Sequence, residues 1–156
     1  MKIAKWNEKV SAMFDDASMY DSENLHCGSD SDGAYFATDK YSAFFMPGYD
    51  ICTSKPSEDK KGAALPGIFH AAINRAVLAS ETRGKANGKQ ARKFTSENAT
   101  VFCYEKFLRV FPKNTLFYVS APTAPIVACI WEDGKLHTLG IVMPFLCHEE
   151  NFSAIA

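Results

Sequence analysis

Two apolar stretches of the chain close on the same dipeptide. Tyr41-Ser-Ala-Phe-Phe-Met46 runs into Pro47, and Leu136-His-Thr-Leu-Gly-Ile-Val-Met143 runs into Pro144. Proline removes a ladder donor, so each Met-Pro belongs where a strand leaves its sheet. Upstream of each closure the same order of elements recurs. In the first half, Lys2-Ile-Ala-Lys5 reads as a brief strand. Trp6, Val10 and Met13 then stand at i, i+4 and i+7, one face of a short helix over 5–15. Strand-like pieces follow at Asn24–Gly28, Ala34–Thr38 and Tyr41–Met46, the first two separated by the turn signal Asp32-Gly33 and the last two by Asp39-Lys40.

In the second half a strand is expected over Ala99–Cys103. Tyr104, Phe107, Leu108 and Phe111 then mark a helix that Pro112 stops, since proline has no N–H and clashes with the preceding turn. Strands follow at Thr115–Ser120, Ile126–Trp131 and Leu136–Met143, with Glu132-Asp-Gly-Lys135 as the hairpin turn between the last two. The expectation is an α+β fold of two β-α-β-β-β motifs, 1–47 and 99–147, with a tail at 148–156, in a single domain.

The segment between the motifs, 48–98, differs in character. It holds a Ser/Pro/Lys/Asp stretch from Thr53 to Lys61, a helix expected over Leu65–Ser80, and a basic loop over 81–93 carrying Arg83, Lys85, Lys89, Arg92 and Lys93. Charge is correspondingly uneven. Residues 1–59 carry 5 basic and 11 acidic side chains, 60–114 carry 11 and 3, and 115–156 carry 1 and 4. Only the middle suits a polyanion, so the basic loop reads either as a solvated connector or as a contact for phosphate or a protein partner.

Several function classes find no support in the sequence. Gly-x-Ser-x-Gly, Gly-x-x-x-x-Gly-Lys-Ser/Thr and Gly-x-Gly-x-x-Gly are all missing, and the acidic stretch Asp21 to Gly33 lacks the closing glutamate of a calcium loop. Five cysteines without a Cys-x-x-Cys pair, and four histidines without ligand spacing, suggest reduced thiols and no metal. The expectation is a cytoplasmic, non-enzymatic protein with no cofactor and no membrane association.

Written as Val101-Phe-Cys-Tyr-Glu-Lys-Phe…Ser120-Ala-Pro…Gly140-Ile-Val-Met-Pro-Phe-Leu146, the second motif resembles the C-terminal part of bacterial sliding clamps, the β subunit of the replicative DNA polymerase. Gly33-Ala-Tyr-Phe-Ala-Thr-Asp39 resembles the clamp strand that ends in Ala-Thr-Asp before Gly-His-Arg-Leu. Here Lys40-Tyr-Ser-Ala43 follows instead, with a serine where the family has arginine. The resemblance implies a clamp-type domain with both helices on one side of curved sheets. Solitary clamp-like proteins of phages and mobile elements are the nearest kind.

It also implies sites. The closing Val-Met-Pro-apolar run of clamps forms part of a hydrophobic pocket for short peptides, which transfers to Met143, Pro144, Phe145 and Leu146 as partner-binding residues. Clamp helices face DNA, and Lys106 and Arg109 lie opposite the apolar stripe of the second helix, whereas Glu8, Ser11 and Asp15 occupy that position on the first. Two functions follow. One is a clamp-like module of DNA replication or repair that docks protein partners and associates with DNA as a homo-oligomer, a ring requiring six such domains. The other is a phage or mobile-element inhibitor that binds a host defence complex through a clamp-type fold.

Overall fold

The computed structural model describes residues 2–47 and 60–155. The Ser/Pro/Lys/Asp stretch from Thr53 to Asp59 and Cys52 lie outside them. Helix α1 (Lys2–Tyr20) leads into a meander of β1 (His26–Asp30), β2 (Gly33–Ala37) and β3 (Ser42–Pro47). Helix α2 (Lys60–Arg75) is followed by the two-residue β4 (Val77–Leu78), β5 (Ser80–Ala86), β6 (Lys89–Thr95) and β7 (Thr100–Tyr104). One helical turn, α3 (Glu105–Leu108), precedes a second meander of β8 (Leu116–Val119), β9 (Ile126–Glu132) and β10 (Lys135–Val142). A 3-10 turn at Glu149–Asn151 and β11 (Phe152–Ala154) complete it.

The strands form two antiparallel sheets, β1-β2-β3-β10-β9-β8-β4 and β11-β5-β6-β7. Strand alternation divides the larger sheet between two cores. Phe36, Phe44, Met46, Ile126, Ala128 and Ile130 face α1, the smaller sheet and Leu108 and Phe111. Tyr35, Ala37, Ala43, Val127, Cys129 and Ile141 face Leu65, Phe69 and Ala72 of α2. A β-bulge between Thr138 and Gly140 resets the alternation in β10, so Leu139 and Val142 share the first core and Ile141 the second.

The fold is thus α+β, and both three-stranded meanders stand where the sequence puts them. They lie side by side, joined through their last strands by Phe44↔Gly140, Ala43↔Ile141 and Ser42↔Val142. The helices expected over 5–15 and 65–80 and the strand expected over 99–103 are also present, at 2–20, 60–75 and 100–104, but their bounds or surroundings differ. Residues 2–5 are helical, because the Glu132 carboxylate accepts from the backbone N–H groups of Lys2 (2.7 Å) and Ile3 (3.2 Å), capping a helix start from a strand 130 residues away. The first half therefore has no opening strand among the described residues, and that of the second half, β7, belongs to the other sheet.

Helix α2 begins at Lys60, so Pro66 stands inside it rather than in its first turn. Proline cannot donate to the carbonyl four residues back, that of Gly62. Gly62 instead lies against the backbone of Gly28 in β1, where a Cβ would come within 2.1 Å of its oxygen. The supposed loop over 81–93 is a β-hairpin, β5–β6, turned by Asn87 and Gly88 with φ 54° and 75°, the signature of a type I′ turn. Helix α3 is one turn, not two. Tyr104 stays in β7, and the chain tightens after Leu108 (Phe111 N–H donates to Leu108 O, 3.2 Å), so that Phe111 stacks on Trp6 at 5.5 Å.

Candidate functional site

The loop from Thr38 to Tyr41 is built by one carboxylate. Asp39 Oδ1 accepts from the backbone N–H of Tyr41 (2.8 Å) and of Ser42 (2.9 Å), and from Ser42 Oγ (3.5 Å). This Asx arrangement is the reason an aspartate turns a chain so tightly. The Tyr41 ring stacks on Phe107 of α3 at 4.8 Å, and the Tyr41 carbonyl accepts from the backbone N–H of Met143 at 2.7 Å. The end of β10 is thereby tied to the β2–β3 corner, an attachment between residues a hundred positions apart.

Beside that attachment is a largely apolar cavity of about 310 Å³ between the end of the β3–β10 seam and α2. Tyr41, Ser42, Ala43, Ile141 and Met143 line it from the sheet, and Ala64, Leu65 and Ile68 from the helix, with Lys40, Lys61, His26 and Asp39 as its polar lining. Its volume is near the lower end of small-molecule and short-peptide sites. The end of the Ala-Thr-Asp39 strand, the Lys40–Ala43 corner that departs from the clamp pattern, and Met143 thus contribute to one concavity. The α2 wall was not foreseen. Its signal in the sequence is the pair Leu65 and Ile68, three apart on a helix that starts at Lys60 rather than at Leu65.

The four tail residues do not act together. Met143 is 36% exposed in the cavity, but Phe145 leaves it: its N–H donates to Phe102 O at 2.9 Å and its ring stacks on Tyr104 at 3.9 Å and 7°. Phe145 anchors the tail to the smaller sheet. Pro144 is half-buried between the two, and Leu146 is 74% exposed and does not line the cavity. The division follows from the crossing: a continuous strand would put Met143 and Phe145 on one face, but the chain passes from the larger sheet to the smaller at Met143-Pro144.

Alternation also divides the basic residues. In the β5–β6 register Arg83 opposes Arg92 and Lys85 opposes Gln90, on one face, while Lys89 and Lys93 point to the other. Lys89 lies over Tyr104 and Lys93 over Phe152. Arg83, Arg92 and Arg109 line a polar cleft of about 280 Å³ with Glu105 and Lys113, and Lys89, Lys106 and Arg109 border a second concavity beside Tyr104. Arg109 donates to Gln90 Oε1 at 2.9 Å. Arg92 is buried and bonded to Glu81 (2.7 Å) and to Glu105, so its charge is neutralised within the fold. The basic run therefore does not form one stripe, as a loop would have allowed.

Asp30, Asp32 and His70 are the one close cluster of potential ligand atoms among the described residues. The Asp30 carboxylate is already engaged on both oxygens. Oδ1 accepts from Asp32 N–H (2.9 Å) and Gly33 N–H (3.3 Å), and Oδ2 from Tyr35 OH (3.0 Å), with His70 Nε2 at 2.9 Å. Burial pushes this carboxyl up, but the bonds from His70, Asp32, Tyr35 and Gly33 outweigh it and hold it below the ordinary 3.8. The arrangement ties the β1–β2 turn to α2. Burial likewise raises the Cys103 thiol to about 12 and the Cys129 thiol to about 11, which suppresses their thiolates.

Comparison with protein-family models, with curated proteins and with solved structures found no match.

Proposed function

We propose that this chain is a non-enzymatic, clamp-like binding module of DNA replication or repair that takes a short peptide from a protein partner in the cavity beside Met143. One observation carries the reading. The strand end at Met143, which matches the Val-Met-Pro of sliding clamps, is hydrogen-bonded to Tyr41 in the corner that follows the clamp-like Ala-Thr-Asp39, and Asp39, Tyr41 and Met143 line the same apolar cavity. Methionine suits such a wall because its unbranched, polarisable side chain adapts to different ligands. Lys40 and Lys61 among the lining residues favour a peptide whose apolar side chains are flanked by an acidic one. Phe145 serves to anchor the tail, and the contacting residue of the original four is Met143.

Fluorescence polarisation with labelled apolar-acidic peptides from the clamp-binding segments of replicative polymerases and repair proteins tests this. Saturable binding should be lost on Met143→Asp or Ile68→Glu and unchanged on Leu146→Asp. Equal binding by all three variants, or by a scrambled peptide, would sink the proposal.

A second reading is favoured by the state of the basic residues. With Arg92 neutralised and the other cations divided between two faces, an encircling contact to DNA has weak electrostatic support. The chain is then an inhibitor of a host complex, of the kind mobile elements carry, using the same cavity. A pull-down from bacterial lysate separates the two, since replication proteins lost on Met143→Asp support the first reading and a defence complex lost on the same change supports the second.

A further inference from the structure

The polar cleft of about 280 Å³ between the smaller sheet and the turns after α3 gathers cations from three places in the chain. Arg83 comes from β5, Arg92 from β6, and Arg109 and Lys113 from the segment that follows α3. No single basic run supplies them, so it is the fold that brings them together. This cleft shares no lining residue with the cavity beside Met143.

Charge in the cleft is out of balance. The β5–β6 register sets Arg83 directly opposite Arg92, and like charges so placed repel. Arg92 is answered within the fold by Glu81 and Glu105. Arg83, Arg109 and Lys113 are exposed, and no carboxylate of the described residues lies within ion-pair distance of them. Four cations against those two acids leave a net of two positive charges, and the low-dielectric walls of a cleft concentrate such a field. The Arg109 guanidinium donates to Gln90 Oε1 at 2.9 Å, which holds it at the rim with its other N–H groups available.

The lining narrows the choice of ligand. An apolar molecule would need accessible apolar walls, and Phe111 and Phe117 are 7% and 2% exposed. A duplex backbone would need cations spaced along one surface, and Lys89 and Lys93 leave β6 on its other face. A compact dianion matches both the excess charge and the guanidinium forks, whose parallel N–H groups suit phosphate oxygens. We propose that this cleft binds a phosphoryl dianion, as free phosphate or a phosphate monoester, through Arg83, Arg109 and Lys113.

Titration of the intact chain at constant ionic strength, followed by calorimetry and by the arginine side-chain N–H signals in NMR, tests it. Inorganic phosphate should saturate the protein with a Kd of about 1 mM or below, and sulfate should compete where chloride does not. Arg83→Gln and Lys113→Gln should each weaken phosphate about tenfold, equivalent to about 1.4 kcal/mol, in proteins that melt normally because both side chains are exposed. Lys93→Gln makes the same change of charge on the other face of β6 and should leave binding unaltered. Ribose 5-phosphate and phosphoserine separate the sources. Tighter binding of either than of inorganic phosphate supports the site and names the carrier, and equal binding of all three supports the free ion. No saturation by any of the three, or an equal loss in Lys93→Gln, overturns the proposal. Binding of a DNA duplex that Arg83→Gln and Lys113→Gln abolish, without saturation by phosphate, overturns it in favour of backbone contact.

Discussion

Gly28 and Gly67 should respond in opposite directions to the same substitution. Gly28 lies in β1, where an alanine Cβ would stand 2.1 Å from the Gly62 oxygen, 2.9 Å from its carbonyl carbon and 3.3 Å from Pro66 Cδ. The obstacle is helix backbone, which no rotamer change relieves, so α2 must retreat from the sheet by about 1 Å to restore ordinary contact. That retreat loosens Leu65, Phe69 and Ala72, all buried beneath the helix. Overpacking of this kind costs about 1–3 kcal/mol. At about 2–4 °C per kcal/mol for a chain of this length, Gly28→Ala should lower Tm by about 2–12 °C. Gly67 is on the exposed side of the same helix, with nothing within 4 Å of a Cβ. Gly67→Ala should stabilise by about 0.5–1 kcal/mol, the helix-propensity difference. Thermal melts followed by circular dichroism decide the matter. A Gly28→Ala protein melting at or above the unaltered chain would refute the close packing of α2 on β1. Because α2 also walls the cavity beside Met143, Gly28→Ala should weaken peptide binding while Gly67→Ala leaves it unchanged.

Asp30 supplies a pH dependence. Its folded-state value is held below 3.8, so the stability it contributes is present above the unfolded value and is lost as pH falls through the folded one. Urea midpoints between pH 2 and 7 should show Asp30→Asn less stable than the unaltered chain at neutral pH and the two converging in acid; a constant gap would contradict the assignment. Arg92→Met leaves the partly buried Glu105 without its partner and should cost about 2–4 kcal/mol in urea unfolding, most of it recovered in Arg92→Met with Glu105→Gln; an additive double variant would show the ion pair to be idle. In a Cys52→Ser background, Ellman's reagent should label one thiol rapidly, the partly exposed Cys147, and reach Cys27, Cys103 and Cys129 only on unfolding. Fast reaction at two or more sites would count against the burial of those three.

The meanders were legible because two local signals coincide there: short apolar runs and turn dipeptides, Asp32-Gly33 in one and Asp133-Gly134, with φ 54° and 75°, in the other. The β5–β6 hairpin carried an equally good turn signal in Asn87-Gly88. It was masked by strands rich in Lys and Arg, whose buried positions, Gly84, Ala86 and Ala91 on one face and Arg92 and Phe94 on the other, form no run of large apolar residues. The ends of the helices were illegible for a different reason. Glu132 caps α1 from across the molecule, and Gly28 accommodates an α2 that starts a turn and a half before Pro66, so neither boundary is written in its own segment.

Site residues follow the same division between local and non-local information. Met143 could be proposed from its own neighbourhood, but its separation from Phe145 depends on where the chain changes sheets, and that depends on Phe102 offering a carbonyl to Phe145. Trp6 illustrates the converse. Its helical periodicity alone places it in the core, where it stacks on Phe111. The cavity beside Met143 and a second one of about 280 Å³, lined by Trp6, Tyr35, Ile73 and Leu139, trace to one feature of the larger sheet: two meanders meet by a seam that three residue pairs hold together. Past one end of those pairs the chain is tied at Tyr41 and Met143 beside an apolar hollow, and past the other the bulge at Leu139 lets the strands part. A sheet continuous along that seam would leave no room for the cleft beside Trp6, so restoring regular pairing by removing the bulge residue Leu139 should eliminate it before it affects the hollow beside Met143.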